Sequence, residues 1–302
     1  AMLPSFKILE ERTLRVKGKK VVARIKAFPP ENYVAELWSE VPNVFDVSID
    51  AWRTHLIQIA EDLVRKYEVL EDFKEEYTLY CVRDYKGDPK VFLDERRAIV
   101  RLVKSEPLVL SDQEIDQTIL DGTLQYAKDD MTIVDWDGAF IFDPKGDWQE
   151  TIDLLEVANV HLLRLRVLDQ QLDQRLSSVS AILNNLKGIS SRMVHKQMAL
   201  LLRTRVQSIE DFSHSARDFQ LIGDWYAAKL YTLISRKLHL DDWRLSLRDE
   251  LENLNGLYQA AADHFGVSAQ TRVENVQLLL WFLLLAGSFV IFFLDFRHAL
   301  GK

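Results

Sequence analysis

From Trp148 to Arg272 the chain carries no proline and few glycines. Nothing in that stretch forces an α-helix to stop, so it constrains the fold more than any other feature. Ala158, Leu162, Leu165, Asp169, Leu172, Leu176, Val179, Leu183 and Leu186 recur at alternating spacings of four and three. That is a heptad seam held over about four repeats, the pattern of a long helix packed against other helices. Gly188 ends it, and Ser190-Ser191 can cap a second helix with Val194, Met198, Leu202, Val206, Ile209 and Phe212 on one face. Trp225–Leu238 reads as a further helix. Asp241-Asp242 caps a last one, striped by Leu247, Leu251, Leu254, Tyr258, Ala261 and Phe265. The expectation is a helical stalk or bundle over 148–275 that oligomerises through Leu162, Leu165, Asp169, Leu172, Leu176, Leu247, Leu251 and Leu254. Asp169 stands where Leu is expected. It is a buried ion or hydrogen-bond site in an oligomer, a residue that fixes the register, or a mark of local drift of the seam onto Leu168.

After the stalk, Val276–Leu294 reads VQLLLWFLLLAGSFVIFFL, with no charge in it. About 20 apolar residues span a bilayer's hydrocarbon core, so the sequence predicts one C-terminal transmembrane helix over 276–294 and a short tail over 295–302. Gln277, Trp281, Ser288 and Asp295 fall on one stripe of that helix and are expected to face protein rather than lipid. Phe6–Lys26 is charged throughout and lacks the apolar core of a signal peptide. The reading is therefore a single-pass membrane protein with its bulk in the cytosol, at the inner membrane if bacterial. Arg272 before the span against Arg297 and Lys302 after it mildly oppose that orientation.

The chain has 46 acidic and 38 basic side chains, a net charge of -8, which argues against nucleic acid as its main ligand. One cysteine, Cys81, excludes an internal disulfide framework and a cysteine-based zinc site. The seven histidines never pair at helical spacing, and no glycine-rich phosphate loop occurs. No cofactor, metal or catalytic residue is expected. Asp129, Asp130, Asp135 and Asp137 gather carboxylates without the spacing of a calcium loop.

Residues 1–147 read as an α+β cytosolic domain. Thr13–Val16 and Val21–Phe28 suggest a hairpin around Gly18-Lys19. Val44–Ile49 looks like a strand, and Asp50 can cap a helix over Ala51–Lys66. Further strands are expected at Tyr77–Tyr85, Arg97–Val103, Thr123–Tyr126, Met131–Trp136 and Ala139–Phe142. Lys7, Arg12, Arg15, Lys17, Lys19, Lys20, Arg24 and Lys26 make the N-terminal hairpin basic: a patch for an anionic surface, or a solvated edge guarded by lysines. Asp135-Trp136-Asp137-Gly138 looks like the DxDG opening of haloacid-dehalogenase-type phosphotransferases, in which the first Asp is the nucleophile. A tight turn between antiparallel strands explains the same residues.

Leu202-Arg203, Trp225, Leu230-Tyr231, Leu247–Leu254 and Trp281 follow one another in an order that resembles the "required for meiotic nuclear division" family of mitochondrial and microbial membrane proteins. The resemblance covers the C-terminal half, and departs from the family around Trp225, where Asp224 precedes and no Asp follows. It implies a helical, membrane-anchored oligomer that tethers something, in mitochondrial members the translation machinery, and no catalytic residues. The architecture is also similar to CorA-type magnesium transporters, although one span and no Gly-Met-Asn signature are present. The expected function is a non-enzymatic, tail-anchored homo-oligomeric scaffold whose partners are membrane lipid, other copies of itself and a protein held at the N-terminal domain. The alternative is an oligomeric cation channel with one pore-lining helix per subunit.

Overall fold

A computed structural model of the chain describes residues 6–29, 32–67, 73–184, 225–257 and 277–284, with positions 199, 203, 206 and 259. The chain divides into two compact units. One comprises Ala1–Gln171 and Asp211–Arg248, the other Leu172–Glu210 and Asp249–Lys302.

In the first unit, β1 (Lys7–Val16), β2 (Lys19–Phe28) and β3 (Asn32–Ser39) form an antiparallel sheet in that order. A two-residue turn joins β1 to β2, with Lys17 at φ 46° and Gly18 at φ 82°. Positive φ at both central positions matches the twist of a hairpin. Successive β2 side chains alternate faces. Ala23 and Ile25 pack with Ala35, Leu37 and Leu63 of α1 (Ser48–Val64), whereas Phe28 packs with Val34, Val157 and Val160 of α4 (Gln149–Asn184). The sheet is thus covered by α1 on one face and α4 on the other.

A second sheet has the order β4-β7-β6-β5, from β4 (Thr78–Val82), β5 (Thr123–Leu124), β6 (Met131–Val134) and β7 (Gly138–Phe142). β4 runs parallel to β7 and the other pairs are antiparallel. Gly138 is required where these strands meet, because a Cβ there would lie 2.7 Å from the Thr78 backbone oxygen. One core cluster holds Tyr80, Met131, Ile133, Phe140 and Phe142 against Ile99, Leu102 and Val103 of α2 (Arg96–Val103). Phe140 is fully buried, its ring 4.8 Å from Tyr80 and 5.7 Å from Phe142. α3 (Asp112–Gly122), capped by the Ser111 hydroxyl, precedes β5. α5 (Trp225–Lys237) and a helix over 240–257 follow α4 among the described residues.

Several expectations need correction. Arg97–Val103 is helical, not a strand. Ile99, Val100, Leu102 and Val103 are all buried, a spacing that alternation cannot place on one face and a helix can. Pro89 and the Asp88 side-chain cap open the 3₁₀ turn that leads into it. Val44–Ile49 forms turns into α1. The Asp46 carboxylate accepts from the Ser48 N–H at 2.8 Å, so the helix starts before Asp50 can cap it. β3 and α3 are elements that the sequence reading did not contain.

The α+β region followed by helices stands, but the C-terminal transmembrane helix does not. Among the described residues no helix is long and apolar enough to cross a membrane. Of the segment 276–294 only 277–284 is described, as helix. The assignments of transmembrane protein, single-pass topology and membrane location are corrected accordingly. Gln277 and Trp281 lie among the helical residues 277–284, Trp281 exposed, while Ser288 and Asp295 lie outside the described residues.

Candidate functional site

A cleft of about 2840 Å³ opens within the first unit. α1 offers it Trp52, Leu56, Ile57 and Ala60, and α4 offers Leu155, Asn159, Val160 and Leu163. Each set recurs at three- and four-residue spacing, so each helix turns one stripe to the cleft. All of β3 and all of β4 line it as well.

One polar cluster is built into this wall. Lys26 is 2% exposed, and its Nζ lies 2.9 Å from Glu36 Oε2 and 2.8 Å from Glu156 Oε2. It donates to both Glu156 oxygens. The Phe6 ring covers the ammonium at 4.8 Å, and the Trp38 indole N–H donates to Glu36. Two carboxylates therefore share one ammonium away from water. Burial pushes the Glu156 carboxyl up to about 7 against the pull of Lys26. Burial also opposes the Lys26 charge, but Glu156 and Glu36 outweigh it and hold its pKa above the usual lysine range. The cluster ties α4 to β2 and β3.

The other carboxylates of the cleft wall are also paired within the chain. Lys74 pairs with Glu61 and Glu76, and Arg83 pairs with Glu40 and Asp84. Arg166 pairs with Glu75. Burial pushes the thiol of Cys81 on β4 up to about 12.

The Asp135–Gly138 stretch is the turn between antiparallel β6 and β7, closed by the Asp135 N–H donating to the Gly138 oxygen at 3.0 Å. The Asp135 carboxylate is engaged, with Oδ2 3.0 Å from Lys104 Nζ and Oδ1 3.8 Å from Lys237 Nζ. Lys104 also meets Glu114 at 2.9 Å. The Asp130 carboxylate accepts from the Tyr126 and Ala127 N–H groups. Among the described residues no cluster of His, Cys, Asp and Glu is arranged to hold a metal ion.

The stalk residues fall in different places. Leu162, Leu165, Leu172, Leu247 and Leu254 are buried within the single chain, whereas Asp169, Leu176 and Leu251 are half-buried. In the N-terminal hairpin, Arg24 pairs with Glu11 at 2.7 Å, and Lys26, grouped by sequence with the solvated lysines, is inside. Sequence reasoning missed the Lys26–Glu36–Glu156 cluster. One signal existed: Glu156 interrupts the apolar stripe of Ile152, Leu155, Val160 and Leu163 on α4.

Residues 9–148 match the family described as "Uncharacterized protein MJ0711, N-terminal domain", a stretch running from β1 to the residue before α4. The chain is similar to Uncharacterized protein MJ0711 of Methanocaldococcus jannaschii, 25% identical over 264 residues that cover 87% of this chain and 79% of that protein. No solved structure matches. These similarities replace the resemblance to the meiotic nuclear division family and the likeness to CorA-type transporters, neither of which is matched. The match to 9–148 takes in both sheets and stops short of Glu156.

Proposed function

We propose that the chain is a non-enzymatic holding module that grips a segment of another polypeptide in the cleft between α1, α4, β3 and β4. The size and lining of the cleft carry the reading. Small-molecule sites occupy about 300–1,000 Å³, well below the 2840 Å³ here. Two helical stripes rich in Trp, Leu, Ile and Val line it, the kind of surface that a polypeptide partner covers. The stretch whose sequence suggested chemistry supports the same view, since Asp135 is held by lysines in a tight turn. Neither membrane anchorage nor conduction enters this reading.

Selection from a display library of random nine-residue peptides tests it. Enriched peptides should bind the wild-type chain and lose at least tenfold in affinity on Ala60→Trp, which fills the cleft from α1. Leu120→Trp, at a position 75% exposed and outside the cleft, should leave binding unchanged. No enrichment, or peptides indifferent to Ala60→Trp in a folded variant, would remove the proposal.

A further inference from the structure

Both sheets have one guarded and one open edge. The outer strand β1 reads KILEERTLRV, half of it charged, and carries a register shift between Ile8 and Glu10. Charges and bulges of this kind block the addition of another strand. At the far side of the second sheet, β5 is only two residues long, another protection. The opposite edges lack such devices. β3 reads NYVAELWS, with one charge, and β4 reads TLYCV, with none; neither contains proline or lysine.

These two open edges are where the cleft lies. A cleft over the face of a sheet touches alternate residues of a strand, because side chains alternate. This one is lined by every residue from Asn32 to Ser39 and from Thr78 to Val82, whereas β6 and β7 contribute none. It therefore runs along edges, not over a face. Among the described residues, β3 forms its ladder with β2 only and β4 with β7 only. The extra backbone bonds at the ends of β4, Thr78 N–H to Asp137 O and Asp143 N–H to Val82 O, also lie on the β7 side. The outward N–H and C=O groups of both strands are thus unpaired among those residues.

We infer that the held segment enters as an added β-strand, an uncharged and largely apolar run of five to eight residues from another protein, hydrogen-bonded to the β3 or β4 edge. This inference rests on the holding role proposed above and specifies the partner. The strand length is that of ordinary strands, about 5–8 residues. α1 and α4 cover the two faces of the first sheet, so a strand added beside β3 is covered on both faces. A strand in that setting reads as a near-continuous hydrophobic run rather than an alternating one. Charge complementarity points the same way. Each carboxylate of the cleft wall, Glu36, Glu40, Glu61, Glu75, Glu76, Asp84 and Glu156, is already paired with a cation of the chain. A basic segment would therefore find no free carboxylate in that wall. A second copy of the chain fits poorly, because its own open edges are recessed between the same helices.

The experiment is an alanine and N-methyl scan of a synthetic nine-residue peptide enriched against the wild-type chain. Alanine should cost at least tenfold in affinity at several consecutive apolar positions. N-methylation should cost as much at alternate residues if one edge is used, or at successive residues if both are. Sensitivity spaced every three or four residues, or selection of charged peptides, overturns the strand inference. If such peptides still lose binding on Ala60→Trp, the holding role survives; if no peptide is enriched, the holding role itself fails. Concentration-dependent dimers that the peptide dissociates would overturn the assignment to another protein in favour of a second copy.

Discussion

Lys26→Met is expected to destabilise the chain by about 3–5 kcal/mol at pH 8, the usual cost of removing one partner from a buried ion cluster. Methionine keeps most of the volume and apolar stem, so lost packing contributes little. What remains is the problem of two carboxylates. Glu36 and Glu156 both lie within 2.9 Å of the same ammonium, and without it they face each other in a setting from which water is excluded. Arg24, 4.0 Å from Glu36, compensates only in part because Glu11 already engages it at 2.7 Å. Adding Glu156→Gln removes one of the two charges and should recover roughly half the loss, a coupling that distinguishes charge from shape. Urea denaturation of the two variants and the wild type measures both effects. A loss below about 1 kcal/mol for Lys26→Met would contradict the cluster as described.

The second large effect is the dependence on pH that Glu156 contributes. Folding raises this carboxyl from its ordinary 4.5 to about 7. The folded chain therefore keeps a proton there that the unfolded chain has already released. The stability that this proton confers is complete below about pH 4.5 and is lost as pH rises through about 7. Glu156→Gln fixes the side chain in its uncharged form, so the wild type should lose roughly 2–3 kcal/mol relative to the variant between pH 4.5 and pH 8. Denaturation midpoints at the two pH values read this directly. A stability difference that stays constant across the range would show that Glu156 is ionised throughout.

Periodicity and turn chemistry made much of the first unit legible. The basic hairpin appears as β1 and β2, the Asp-Gly turn lies between β6 and β7, and the proline-free stretch opens as one helix over Gln149–Asn184. The errors have a common physical source, burial on two faces. β3 packs Val34 with residues of α4 and Ala35 and Leu37 with Leu63 of α1, so no hydrophobic alternation marks it as a strand. α2 is buried at four of its eight positions and rich in β-branched residues, which reads as a strand when taken alone. The cluster was hidden for a different reason. Lys26, Glu36 and Glu156 lie on three elements, with 130 residues between the first and last, and each alone resembles a surface charge. The heptad positions Leu162, Leu165 and Leu172 were legible as apolar, but spacing alone could not tell a seam between copies from the interior of one chain.

Hydrogen exchange of the backbone amides, with and without an enriched peptide, tests the strand-holding cleft most directly. Bound peptide should slow exchange of outward-facing amides in Asn32–Ser39, Thr78–Val82 or both by at least tenfold, and leave the guarded β1 edge unchanged. Protection confined to α1 and α4, with β3 and β4 amides exchanging as before, would contradict it.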